Sequence, residues 1–308
     1  MVDWSLRILD TAEEMLAAED LQRLVWSGSD AEIVPAHLLI AAASHGGLVI
    51  GAFAEGEGTT GERTGQPGNP LIGFVFGIPG FYSTPDGPRL LHYSHMLGVH
   101  PDHRSQGIGF ALKRAQWQMV RRQGIDRITW TYDPLLSRNA YLNISRLGAV
   151  CNTYRRNFYG DLRDHMNKGL DTDRFQVDWW VNSKRVNRRL SSRPRLQLDL
   201  AHFLAAGAQI LNPTHISANG FPKPVQQESL DTLYKDPEEA QSILLVEIPS
   251  NFLTLKAKAP ELAHEWRQHS RALFEDLFAH GYLVTDFIHL PGKSARSFYV
   301  LSHGESTL

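Results

Sequence analysis

The stretch Val99-His100-Pro101-Asp102-His103-Arg104-Ser105-Gln106-Gly107-Ile108-Gly109 has residue types and spacing that can hold a diphosphate. An apolar, strand-like run (Leu90 to Val99) leads into it and a helix-like run (Phe110 to Gln123) leads out. A strand that turns through Arg-x-x-Gly-x-Gly into a helix aims consecutive backbone N–H groups at one point. The helix dipole adds positive potential there. The glycines allow phosphate oxygens an approach that a Cβ would block. A P-loop needs four residues between its glycines and then Gly-Lys-Ser/Thr, and a dinucleotide loop needs Gly-x-Gly-x-x-Gly. Neither pattern is present in this stretch. The plain alternative is a glycine-rich turn between strand and helix.

Other residues invite chemistry around this loop. The strand period of two puts Tyr93, His95, Leu97 and Val99 on one face, and His92, Ser94 and Met96 on the other. Imidazole titrates near neutrality, so His95 is either a general base or a hydrogen-bonded core histidine. The four histidines His92, His95, His100 and His103 do not converge at this spacing, and no metal site is expected. Lys184, Arg185, Arg188, Arg189, Arg193 and Arg195 form either a solvated face or a contact for an anion. Cys151, the sole cysteine, rules out an internal disulfide and reads as inert core.

The elements that must position these residues follow from periodicity and capping. Trp4 to Leu9 is strand-like, and Asp10 or Thr11 can cap a helix from Ala12 to Trp26. Pro35 opens a second helix through Ala43. Strands are expected over Gly47 to Ala54 and Leu71 to Ile78, with a polar, glycine-rich loop from Glu55 to Pro70 between them. A turn-rich stretch then ends near Arg89. After Gly124 come a strand (Ile125 to Tyr132), a helix from Ser137 or Asn139 to Leu147-Gly148, and strands over Val150 to Tyr159 and Phe175 to Val181. Further on, the pattern gives a helix-like run (Leu198 to Ala206), a strand (Ile243 to Ile248), a helix (Pro260 to His280), and strands over Tyr282 to His289 and Ser297 to Leu301. Arg138, Tyr141 and Ile144 precede Gly148 at the spacings by which Arg271, Phe274 and Leu277 precede Gly281. That match reads either as chance or as a degenerate repeat.

The strand, loop and helix around Arg104 resemble the signature of the GCN5-related N-acetyltransferase (GNAT) superfamily. Leu97, Val99, Pro101, Arg104, Gly107, Ile108, Gly109 and Leu112 stand in its places. The resemblance spans about residues 4 to 182 and implies an α/β (α+β) fold: a mixed, mostly antiparallel twisted sheet flanked by helices. Residues 1–182 are then an acyl-CoA-binding domain, and 183–308 a second α/β domain that is a candidate degenerate half. The resemblance implies acetyl-CoA or another acyl-CoA as co-substrate. Its pyrophosphate would meet the backbone of Arg104, Ser105, Gln106, Gly107, Ile108 and Gly109, and its arm the main chain of Leu97 and Val99. Asn139 resembles the family's arm-binding Asn, or else serves as a helix N-cap. The family's general-base carboxylate is missing here. Its general-acid tyrosine is replaced by Ile144, which leaves Tyr141 as acid or as packed aromatic. The basic segment is a candidate partner for the 3′-phosphate of coenzyme A.

Length and composition bound the function. At about 150 residues per domain, 308 residues make two units. A net charge of −2 argues against nucleic acid as the main partner. No apolar run is long enough to span a bilayer, and the N-terminus shows no secretory pattern, so a cytoplasmic protein is expected. Within these bounds the resemblance implies N-acyl transfer to the amine of a small molecule such as an amino acid, with acetyl or succinyl as the group moved. The alternatives are a non-catalytic coenzyme A-binding module and acetylation of a protein or peptide. Chains of this type can also pair as homodimers through exposed strands.

Overall fold

The computed structural model describes residues 3–26, 32–55, 69–160, 169–191, 198–217, 220–225 and 243–303. Most of the run expected as a polar loop after Glu55, together with Arg193 and Arg195, lies outside them. The chain forms two compact units that meet in sequence at Trp130/Thr131. That division falls earlier than the 182/183 boundary expected from the sequence.

The first unit begins with β1 (Asp3–Ile8), α1 (Ala12–Val25), α2 (Ala36–Ser44) and β2 (Leu48–Glu55). Thr11 is the cap of α1: its hydroxyl accepts from Glu14 N–H while the Glu14 carboxylate accepts from Thr11 N–H. Then follow β3 (Leu71–Thr84), β4 (Gly87–Val99), α3 (Ile108–Arg122) and β5 (Arg127–Tyr132). The stretch expected to be turn-rich is instead the tip of one long hairpin, with pairing from Gly73↔Val99 to Thr84↔Gly87. Pro85 and Asp86 make the turn, which the Thr84 hydroxyl closes on the Gly87 carbonyl at 2.7 Å. The sheet order is β1-β2-β3-β4-β5, antiparallel except for the parallel β4–β5 pair. Helices α1 and α2 cover one face through Met15, Leu21, Leu39, Phe74 and Phe76. Helix α3 covers the other through Ile108 and Leu112 against Ile50, Ile72 and Val75. A sheet covered on both faces reads as unbroken apolar runs, as in β2.

The second unit holds α4 (Ser137–Ala140), β6 (Val150–Arg155), β7 (Arg174–Trp180), α5 (Lys184–Leu190) and α6 (Leu200–Ala205). It continues with β8 (Gln209–Ile210), β9 (Thr214–Ile216), β10 (Pro222–Pro224), β11 (Ile243–Ile248) and α7 (Phe252–Lys258). The last elements are α8 (Pro260–Ala279), β12 (Tyr282–Leu290) and β13 (Arg296–His303). Its main sheet runs β7-β6-β12-β13-β11-β8, and β9 and β10 form a separate ribbon. Gly148 and Gly281 both have φ +81°, the left-handed geometry that ends a helix and turns the chain into β6 and β12. Those two strands pair antiparallel through Cys151 and Val284. Phe175, Phe274 and Tyr299, all fully buried, stack edge-on at 4.7 to 5.3 Å in the core beside this pairing. The chain is thus a mixed α/β protein with mostly antiparallel sheets flanked by helices. Among the described residues no helix is long and apolar enough to cross a membrane.

Candidate functional site

The glycine-rich loop has the backbone that its sequence calls for. After β4 the chain makes one 3-10 turn (Pro101–His103), and α3 starts from Gly107 as N-cap at φ +85°. Ser105 is also left-handed, at φ +66°, a conformation uncommon outside glycine. Alternating left-handed residues curl successive N–H groups inward, and the first turn of the 15-residue α3 adds donors that no helical carbonyl can take. Gly107 offers no capping side chain, and a Cβ built there would point into open space. The Arg104 guanidinium ties back to the Val99 carbonyl at 3.2 Å. The Gln106 Oε1 and His103 Nδ1 atoms are buried without a hydrogen-bond partner among the described residues. A cradle of N–H groups with open space beside it fits a diphosphate.

The strand that feeds the loop forks away from its neighbour. The β4–β5 ladder consists of His92↔Ile128 and Tyr93↔Thr129, although β4 runs on to Val99. Beyond Tyr93 the β4 main chain therefore makes no ladder with β5. The expected side-chain alternation breaks at His95. Met96 pairs with Phe76 and Ser94 with Gly77, so His95 is an extra residue in a β-bulge. The bulge reverses the faces beyond it. Leu97 and Val99 lie on the α3 face, where a Cβ at Gly109 would stand 3.7 and 3.9 Å from their methyl groups. They share that face with Ser94 and His92, not with Tyr93 and His95 as the uninterrupted period predicted. Tyr93 and Phe76 flank the His95 ring at 5.9 Å each. This ring is exposed, yet desolvation by the protein around it lowers its pKa. Both properties suit a neutral imidazole at the surface.

Sequence reasoning missed a polar cluster beneath this strand. Lys113, 2 % exposed, donates to the Ser94 hydroxyl at 2.7 Å and to Gln116 Oε1 at 3.2 Å, and its ammonium position lies 3.7 Å above the Trp130 ring. Gln116 Nε2 lies 3.1 Å from His92 Nε2, while His92 Nδ1 is buried without a partner among the described residues. Burial, with Lys113 nearby, pushes the His92 pKa down to about 3, and burial also holds Lys113 well below the usual lysine range. Gly77 makes the space: a Cβ there would overlap the His92 ring. The available signal was Lys113 and Gln116 at i,i+3 within the buried stripe of Leu112, Trp117 and Val120.

In the second unit the predicted helix from Ser137 is four residues of α4 followed by a π-helical turn (Tyr141–Arg146), with Leu147 N–H bonding the Leu142 carbonyl at 2.9 Å. Leu136 is its N-cap, so Asn139 does not cap it. Asn139 and Tyr141 are two residues apart on one helical run and point to different sides, so they do not converge on one ligand atom. Ile144 is fully buried. Cys151 is buried, with its thiol pushed up by desolvation, as an inert core residue requires. The basic segment is partly structural. Arg185 bonds the carbonyls of Gly148 and Thr285, and Arg189 bonds Ser145 and pairs with Asp286 at 2.8 Å. No group of three or more potential metal ligands occurs among the described residues.

Residues 19–142 match the acetyltransferase (GNAT) family. Among solved structures, NAA60 of Arabidopsis thaliana in complex with a bisubstrate analogue is similar at 16% identity and a TM-score of 0.43. That match covers 58% of this chain and 100% of the other. The ribosomal-protein-S18-alanine N-acetyltransferase from Escherichia coli is similar at 15% identity and a TM-score of 0.40, over 63% of this chain and 100% of the other. An aminoglycoside 6'-acetyltransferase type Ii matches at 18% identity and a TM-score of 0.41, over 58% and 99%. No curated protein matches the sequence.

Proposed function

We propose that the chain, whose residues 19–142 match the acetyltransferase (GNAT) family, is an acyl-CoA-dependent N-acyltransferase. The group moved is acetyl or succinyl, and the acceptor is the primary amine of a small molecule such as an amino acid. The observation that carries this reading is the loop geometry: left-handed Ser105 and Gly107 before an uncapped helix N-terminus, with a forked strand leading in.

In this reading the N–H groups from Arg104 to Gly109 hold the pyrophosphate of the donor, and the β4 main chain at Leu97 and Val99 holds its arm. An acyl-CoA, when bound, supplies a thioester carbonyl for the amine to attack. The amine must first lose a proton, and His95, kept neutral by desolvation, accepts it through water. Tyr141 remains the candidate donor to the departing thiolate, and Asn139 a candidate arm contact. A thiol pKa near 8.5 lets that sulfur leave without an acid. Residues 1–182 then make the acyl-transfer domain, and 183–308 a degenerate repeat of its second half. A non-catalytic coenzyme A-binding module is the second reading, favoured by the buried Ile144 at the place of the family's tyrosine.

The experiment is a thermal-shift titration with coenzyme A, acetyl-CoA and succinyl-CoA, followed by thiol release with a panel of amines. Ligand at a hundred times its Kd should stabilise the fold by about 2.7 kcal/mol. A shift with thiol release supports transfer, and a shift without release for any amine supports the second reading. Absence of a shift with all three would remove both.

A further inference from the structure

The cluster of Lys113, Ser94, Gln116 and His92 stands where β4 and β5 part. The last laddered pairs of these strands are His92↔Ile128 and Tyr93↔Thr129. Continuing that register by one step brings Ser94 on β4 opposite Trp130 on β5. Lys113 reaches this step from α3 and touches both strands. Its Nζ donates to the Ser94 hydroxyl at 2.7 Å and lies 3.7 Å from the centre of the Trp130 ring. Gln116, one turn further along α3, ties the same step back to the ladder. Its Oε1 accepts from Ser94 at 2.9 Å and from Lys113 at 3.2 Å, and its Nε2 donates to His92 Nε2 at 3.1 Å. Helix α3 therefore grips β4 at one residue inside the ladder and at one just beyond it. The His95 bulge follows at once on the edge that β4 shares with β3, and a bulge bends its strand.

Packing alone does not call for a lysine at this position. Lys113 is 2 % exposed, in the stripe of α3 that also buries Leu112, Trp117 and Val120. Burying an amine costs free energy even when it is hydrogen-bonded, and that burial holds its pKa low. An apolar side chain of the same length would fill the space without the cost. What the amine adds is direction: its N–H fixes Ser94, and with it the line along which β4 leaves β5. On the acyl-transfer reading, on which this inference rests, the arm of the donor follows β4 at Leu97 and Val99. The slot for that arm then begins at the Ser94 step. We propose that Lys113 is a positioning residue, which holds β4 and β5 apart at Ser94 and Trp130 and so sets where the slot for the arm begins.

The test compares two ligands on the full chain by isothermal titration calorimetry. One is coenzyme A, and the other is adenosine 3′-phosphate 5′-diphosphate, the half that carries the pyrophosphate without the arm. Lys113→Met keeps the length of the side chain and removes its donor. Ser94 retains Gln116 Oε1 as acceptor, so no buried donor is stranded, and this variant should melt no lower than the parent chain. Its affinity for coenzyme A should fall by about tenfold, while that for the armless nucleotide stays within about twofold. Ser94→Ala removes the acceptor, leaves Lys113 in place and should give a split of the same sign, which keeps the proposal refutable if the methionine variant does not fold. Equal losses for the two ligands, or undiminished coenzyme A affinity in both variants, would overturn the role of Lys113 and leave the acyl-transfer reading standing. A parent chain that binds neither ligand would remove that reading itself, and the role of Lys113 with it.

Discussion

At the scale of single residues, the clearest investment is the cluster of His92, Ser94, Lys113 and Gln116. Its hydrogen-bond order is set by chemistry: Gln116 Nε2 can only donate, so His92 Nε2 accepts and the proton sits on Nδ1. The imidazole is held neutral, with a pKa lowered from 6.5 to about 3 by desolvation first and Lys113 second. Below pH 6.5 the unfolded chain binds a proton that the native one refuses, so stability falls as pH drops from 6.5 towards 3, by about 1.4 kcal/mol per pH unit. His95, also lowered, contributes with the same sign. His92→Gln should flatten that slope by about one proton, as read from urea melts at pH 4.5, 5.5 and 6.5; an unchanged slope would mean that His92 already titrates normally. The loop glycines separate in a similar way. Gly107→Ala puts a Cβ on a residue at φ +85° and should cost about 1–2 kcal/mol of stability. Gly109→Ala meets only ordinary contacts with Leu97 and Val99 and should stay within about 0.5 kcal/mol. Both should weaken coenzyme A binding, so a Gly109→Ala chain with full stability and full affinity would argue against a ligand in the loop.

At the scale of elements, Asp133, just after β5, is gripped by Arg267 of α8 in two bonds at 2.9 and 2.5 Å, with side chains 11 and 3 % exposed. Burial opposes the Arg267 charge, but Asp133 outweighs it and raises the pKa. Asp133→Ala would leave that guanidinium buried and unpaired, at a cost of about 3–5 kcal/mol, whereas Asp133→Leu with Arg267→Met should recover most of it. Chemical denaturation of the two variants decides; equal losses would mean that the contact acts through packing alone. Neither residue stood out in the sequence, because an ion pair between partners so far apart in the chain leaves no local pattern. The elements themselves were largely legible. Thr11 and Glu14 form a local capping box, and Gly148 and Gly281 mark helix ends by backbone chemistry carried within a few residues. The His95 bulge was not legible, since a one-residue insertion depends on the partner strand, and it turned the face assignment of Leu97 and Val99 around. The long β3–β4 hairpin was hidden for a related reason: its proline and glycine residues resemble a loop until cross-strand pairing is known. Lys113 was invisible because a basic residue on a helix normally faces water.

At the scale of the whole molecule, the question is what residues 183–308 are for. The order β7-β6-β12-β13 is symmetric about its centre: each of β6 and β12 follows a helix and a left-handed glycine, and each pairs with the strand after it. That symmetry supports a degenerate repeat whose two copies share one core. Of the two matched arginines, Arg271 pairs with Asp171 and Asp173. A shared core has a measurable consequence for any cut at 182/183. Phe175 would lose Phe274 and Tyr299, Tyr132 would lose its bond to the Tyr299 hydroxyl, and β6 would lose β12. Uncovering each large side chain forfeits about 1.5–3 kcal/mol, and a few such losses consume the ~5–15 kcal/mol by which domains are stable. The fragment 1–182 should therefore lack a cooperative melt and bind no coenzyme A alone, yet recover both when the 183–308 fragment is added in trans. A fragment that melts cooperatively on its own would make 183–308 a separate appended domain, and the repeat would then be a coincidence of helix, glycine and strand.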